Sequence, residues 1–222
     1  MDSIIAENEK TATSNGIVLK SIAHLFSYLL HPVFVPLYVI FFLIYIHPFA
    51  FVGFSPEEKI KTIFIVALNL VFFPLLSVLL LKALGFIESI YLRTQKDRII
   101  PYIASGIFFF WAYTVFKEQH RYPSILTIYV FGIFLASSAA LITNIYLKVS
   151  MHAIGMGGWL ALFLLMSFND GMLMSWPLAL VILLTGIVCT SRMLINAHQP
   201  KEIYIGLLIG ILSQFVAAYI IL

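Results

Sequence analysis

The chain has 222 residues, of which 62% are hydrophobic and only 10% charged, and its mean hydropathy is +1.03. So little polar surface excludes an ordinary soluble domain and requires a lipid environment. A net charge of +3 from 13 Lys+Arg is too sparse for a nucleic-acid-binding face, and a lone cysteine, Cys189, excludes a disulfide framework or a cysteine zinc site.

Residues 1–16 (MDSIIAENEKTATSNG) lack both the basic start and the apolar centre of a secretory signal, so they read as a retained, disordered polar tail. Residues 17–222 read as a single integral membrane helical domain. Residues 17–30 are apolar but carry Lys20 and His24 and run into His31-Pro32, the pattern of an interfacial helix. Beyond them, charges gather in short stretches separated by approximately the 20 apolar residues that a helix needs to cross hydrocarbon. The spacing predicts an all-α polytopic transmembrane helix bundle of about seven spans. They fall near Val33–Val52, Thr62–Leu81, Ile99–Phe116, Ser124–Leu147, Ala153–Phe168, Met172–Thr190 and Ile203–Leu222. Pro36 and Pro48 in the first span and the shortness of the fifth leave six spans plus an irregular segment as the alternative.

Tyr91, Tyr102, Tyr113, Tyr122, Tyr146 and Tyr204 lie near span ends, as interfacial aromatics do. Asn69 and Asn144 fall within spans and are expected to bond to neighbouring helices. Asn169-Asp170-Gly171 reads as a tight turn. Gly155, Gly157, Gly158, Gly206 and Gly210 read as close helix packing. His24, His31, His47 and His120 have no partners at metal or triad spacing and read as interfacial or capping residues.

Seven spans put Lys10, Lys20, Lys82, Arg93, Lys96, Arg98, Lys148, Arg192 and Lys201 on one face, nine of the 13 basic residues, and Lys59, Lys61, Lys117 and Arg121 on the other. The positive-inside rule would make the first face cytoplasmic. If Arg93, Lys96, Arg98, Lys148 and Arg192 bind a ligand, however, four remain against four and the rule decides nothing.

Those five cations belong to three polar clusters, each in a loop of that first face. The first runs from Tyr91 through Arg93, Lys96, Asp97 and Arg98; the second is Lys148-Val149-Ser150-Met151-His152; the third is Ser191-Arg192, then His198 and Glu202. Cations and hydroxyls in that number suit a tetrahedral dianion, because Arg offers paired donors to phosphate oxygens and a helix start offers free N–H groups. Two imidazoles can divide the work, one attacking phosphorus and one protonating the leaving group. Glu202, four residues after His198 on the same helical face, would orient His198 as the nucleophile, leaving His152 as the acid.

The second and third clusters resemble the signatures of the type 2 phosphatidic acid phosphatase family, integral lipid phosphatases with a six-helix core. Ser150 and His152 keep the spacing of that family's Pro-Ser-Gly-His motif while its Pro and Gly are replaced. Ser191-Arg192, five residues, His198, three residues and Glu202 reproduce the third motif with Glu for Asp. The first motif, Lys, six residues, Arg-Pro, is degenerate: Tyr91 stands seven before Arg98, and Ile99 follows it. The resemblance covers roughly residues 91–210. It implies His198 as nucleophile, Glu202 orienting it and His152 as general acid. By the same resemblance Arg192, Ser150 and one of Arg93, Lys96 and Arg98 would bind phosphate, with no metal or other cofactor; Ser191 and Lys148 are further phosphate-binding candidates from the clusters themselves, Lys148 with snorkelling to the interface as its alternative role. The resemblance implies a lipid phosphate substrate and a site in the plasma (inner) membrane facing away from the cytoplasm, while composition and charge already give membrane lipids and no nucleic acid as partners. A non-catalytic lipid-phosphate binding or transport protein of the same fold is the alternative, and a membrane scaffold with basic anchors is a third reading. Oligomeric state is not legible in the sequence.

Overall fold

In a computed structural model, the backbone is described for residues 2–222 apart from Arg93, and side chains from Gly16 onward apart from Arg93 and Asn169. The expected tail over 1–16 falls almost wholly on residues whose side chains are outside that description. Among the described residues the secondary structure is entirely helical, as the spacing of the apolar runs predicts.

Eight helices follow in order: α1 (Asp2–Leu29), α2 (Val35–Ile46), α3 (Pro56–Ala83), α4 (Gln95–Glu118), α5 (Ser124–Thr143), α6 (Met151–Phe168), α7 (Asp170–Leu194) and α8 (Pro200–Ile221). The six from α3 to α8 are long and apolar enough to cross a membrane. The first predicted span, Val33–Val52, is corrected. Its helix covers only Val35–Ile46, ends in a π turn over Phe42–Ile46, and stops at extended His47 ahead of Pro48, because the residue before a proline is driven out of helical geometry.

Short as it is, α2 runs alongside α6. The His31 ring meets His152, Tyr38 stacks on Trp159, Phe42 packs on Phe163 at 4.5 Å between centroids, and His47 bonds to Asp170. The pairing advances at a nearly constant offset along both segments, so they lie parallel and in register from the His152 end to the Asp170 end.

Helix α3 starts earlier than its apolar run, because Ser55 and Glu58 form a reciprocal capping box ahead of Pro56. Its π turn over Ala67–Phe72 precedes Pro74, which cannot donate to the preceding turn and needs the wider backbone there. Asn69 donates to Ile65 of its own helix rather than to a neighbour. Asn144 does bond across helices: its Nδ2 donates to the Gln95 carbonyl, while Gln95 Nε2 donates to that of Asn144. Tyr113, expected at an interface, is buried and stacks on Phe131.

Residues 151–194 are helical throughout except at Asp170 (φ −116°, ψ 31°). His152 interacts electrostatically with Arg192, and one cavity wall carries Trp159 and Phe163 opposite Pro177 and Val181. The chain therefore doubles back at Asp170, making α6 and α7 an antiparallel hairpin. Helices α6 and α8 run parallel in backbone contact. A Cβ on Gly206 would meet the Ser150 carbonyl at 2.8 Å, one on Gly210 would overlap that of Ile154, and one on Gly157 would overlap that of Leu207. Small residues at this spacing let two helices approach closely in lipid.

Candidate functional site

Contacts sort the loops into two ends of the bundle. At one end Lys82 donates to the Glu88 carbonyl, Glu88 N–H donates to Asp97, Gln95 and Asn144 interlock, and Ser150 N–H donates to the Glu202 carbonyl at 3.2 Å. The other end holds His47 with Asp170, Glu58 with Arg121, and Phe54 with Tyr122. All three polar clusters sit at the first end, where α4, α6 and α8 begin. Thr94, Ser150 and Gln199 cap those three starts. Each start brings the positive end of a helix dipole and unpaired backbone donors.

Within the third cluster, His198 donates from Nδ1 to Glu202 Oε2 at 2.8 Å, and the same carboxylate oxygen accepts from Gln199 N–H at 3.1 Å. The ring is therefore held as the Nδ1–H tautomer, with its second nitrogen, Nε2, carrying the lone pair. His198 is buried, and that burial pushes it from 6.5 down to about 4, with Arg98 and Arg192 acting in the same direction and the Glu202 bond opposing them. At neutral pH the imidazole is uncharged, the form that a nucleophile needs.

Arg192 is half-buried, and its Nε has no hydrogen-bond partner among the described residues. It acts electrostatically on His31, Lys148, His152 and His198, placing it centrally among them. Arg98, 3% exposed, donates from Nε to the Leu92 carbonyl and from Nη1 to that of Val149, so it joins the first cluster to the second. Lys148 is half-buried and feels Arg98, Glu202 and Arg192; burial, then Arg98, holds its ammonium below the ordinary lysine range. Ser150 is fully buried, its hydroxyl capping α6 by accepting from Ala153 N–H at 3.4 Å. Ser191 is buried one residue before Arg192.

His152 is buried and donates from Nε2 to the Ser27 carbonyl of α1 at 3.0 Å. Its ring edge faces His31, with 5.0 Å between centroids. His31 is pushed to about 4 by burial and then by Arg192. By spacing alone His31 reads as an interfacial or capping residue. The structure adds it to the site, and no spacing rule could have found it, because it sits about 120 positions from its neighbour.

Not every expected residue joins the cluster. Lys96 is exposed, two positions from buried Arg98 and so on another side of α4. Arg93 lies outside the described residues. Asp97 is buried and caps its own loop by accepting from Glu88 N–H.

The charge balance is lopsided. Arg98 and Lys148 both feel one carboxylate, Glu202, which is already engaged by His198 and Gln199, while Arg192 feels the like charge of Arg98. Cations withdrawn from water are costly without a counter-charge. An excess of about two positive charges, a guanidinium nitrogen with no partner among the described residues and three helix starts are together complementary in charge and donors to a dianion with several acceptor oxygens. Comparison with protein-family models, curated proteins and solved structures gave no match to this chain.

Proposed function

We propose that this integral membrane protein is a lipid phosphatase, hydrolysing a lipid phosphate or polyprenyl pyrophosphate through a phosphohistidine. The observation that carries the reading is the neutral His198 imidazole, fixed by Glu202 through Nδ1, beside a cation cluster whose charge is uncompensated. The residue spacing resembling type 2 phosphatidic acid phosphatases supports it independently.

In this mechanism Arg192, Lys148, Arg98 and the N–H groups at the start of α6 hold the phosphoryl oxygens. His198 Nε2 attacks phosphorus, forming the N–P bond as the bond to the leaving oxygen breaks. With the phosphate dianion bound beside it, His152 takes up a proton from water and, its ring fixed by the Ser27 carbonyl, passes it to that oxygen. Now neutral, His152 takes a proton from water, whose oxygen attacks phosphorus and releases inorganic phosphate and free His198. Glu202 stabilises the imidazolium while the N–P bond lasts. Fixed positive charge around the phosphoryl group supplies most of the acceleration.

The decisive experiment is phosphate release from short-chain phosphatidate or farnesyl pyrophosphate by purified protein in EDTA. Release that His198→Ala abolishes supports the reading, and release unaffected by that substitution refutes it. The alternative, a non-catalytic lipid-phosphate binding or transport protein, is favoured by the degenerate first motif, whose Arg98 spends two donors on backbone carbonyls. Binding without release would select it. We further place the protein in the plasma membrane with the site facing away from the cytoplasm. A cysteine at Lys201 should then be labelled from outside intact cells, and one at Ser124 should not.

A further inference from the structure

A groove of about 510 Å³ separates α1 from α7, within the range of roughly 300–1,000 Å³ common for small-molecule sites. Leu19 and Phe26 wall it from α1, and Ile182, Gly186, Ser191 and Leu194 are among its residues from α7. From Ile182 to Leu194 is twelve helical steps, about 18 Å along the axis. Except for Thr190 and Ser191, side by side near one end, every lining residue is apolar or glycine.

That polar end adjoins the cation cluster. Ser191 precedes Arg192, whose Nε is buried with no hydrogen-bond partner among the described residues. Helix α1 touches both regions: Phe26 lines the groove, and the carbonyl of the next residue, Ser27, accepts from His152. An oily trough facing the bilayer thus leads to an excess of positive charge, with one helix forming a wall of each. The complementary molecule has a long hydrocarbon chain ending in a phosphate.

We propose that this groove seats the hydrocarbon chain of the substrate, with α1 as the wall that measures it. The proposal rests on the phosphatase reading and deepens it. It names the substrate as an amphiphile that enters sideways from the bilayer, and it assigns chain selection to a helix outside the motif-bearing residues 91–210. Apolar burial along the chain then contributes to binding, while the chemistry depends only on the head.

Gly186 supplies the test. A Cβ built there meets nothing within 4 Å, so a larger side chain projects into open groove, and a helix interior accepts Leu more readily than Gly. Gly186→Leu and Gly186→Trp should raise KM for dihexadecanoyl phosphatidate about tenfold, as displacing roughly two methylenes from apolar contact would. Hydrolysis of chainless 4-nitrophenyl phosphate should stay within about twofold of the parent, since no chain-binding energy is at stake. Unchanged kinetics on both substrates would overturn the proposal, as would an equal loss on both.

If the parent protein releases phosphate from neither substrate, the phosphatase reading fails and binding decides the groove separately. Native mass spectrometry should then find hexadecyl phosphate retained by the parent and lost from Gly186→Trp, with butyl phosphate bound equally by both. Equal retention of hexadecyl phosphate by the two proteins would refute the groove.

Discussion

Two buried histidines, each bonded to a carboxylate, stand at opposite ends of the bundle. His198 meets Glu202 at 2.8 Å, and His47 meets Asp170 at 3.2 Å. What differs is the second ring nitrogen. His47 donates to Asp170 from Nε2 while its Nδ1 accepts from Ala50 N–H at 3.1 Å and, more weakly, from Phe49 N–H, so both nitrogens are spent on the fold. In His198 the carboxylate takes Nδ1, Nε2 has no partner among the described residues, and the ring feels Arg98 and Arg192. One pair fastens the end of α2 to the reversal at Asp170; the other leaves a lone pair beside buried cations. A His–carboxylate contact therefore carries no function by itself, and the partner of the remaining nitrogen decides it.

Substitutions should separate the two ends sharply. His198→Ala should lower kcat by about 10⁴-fold or more, as removal of a nucleophile does. His47→Ala should leave kcat within a few-fold, and a comparable loss of turnover there would erase the distinction. Glu202→Gln should reduce kcat by roughly 10²–10⁴-fold, since an amide neither fixes the Nδ1–H tautomer nor stabilises the imidazolium. Arg192→Lys should cost about 10²-fold in kcat/KM, because an ammonium does not reproduce the planar paired donors of a guanidinium.

Acidity gives a finer test. Because burial holds free His198 near 4, the acid limb of kcat/KM should fall near pH 4 rather than near 6.5, once the ionisation of the substrate is divided out. The same shift has a stability consequence. Between about 4 and 6.5 the unfolded chain binds protons at His31 and His198 that the folded protein does not. Stability is therefore highest above 6.5 and declines as pH falls toward 4. The smallest effect belongs to the clamp. His47→Ala breaks buried hydrogen bonds worth roughly 1–3 kcal/mol in total and should lower Tm by several degrees. An unchanged Tm would mean that α2 is held by its aromatic contacts with α6 alone.

Much of the architecture was legible because membrane-spanning helices are specified by local composition. The apolar runs placed the ends of α4 to α8 within about four residues, and that of α3 within six at its capped start. Asn169-Asp170-Gly171 marked the reversal between α6 and α7, and the glycines at 157, 206 and 210 marked the close approach of α6 and α8. The first predicted span failed at its ends: a hydropathy window counts apolar residues without asking whether Pro48 lets the helix continue. Asn69 and Tyr113 failed because composition says that a group is polar or aromatic, not which neighbour it meets.

The candidate site divides in the same way. His198 and Glu202 are one helical turn apart, so their pairing follows from the period of the helix and was readable beforehand. Arg98 and Lys96 looked equivalent as two cations two residues apart, yet only packing against Leu92 and Val149 turned one inward and left the other exposed. His31 and the Ser27 carbonyl reach His152 because α1 folds over the start of α6, a contact between chain segments more than 100 residues apart.

By itself, then, the amino-acid order determined that the protein lives in lipid, where its helices run, and that His198 would face Glu202, since each of these depends on neighbours within a turn or a span. Which cations gather, which histidine keeps a nitrogen unengaged, and which helix walls the groove beside them were decided only by the tertiary structure. Those outcomes depend on how distant helices pack, and packing is settled by the shapes of all the helices together.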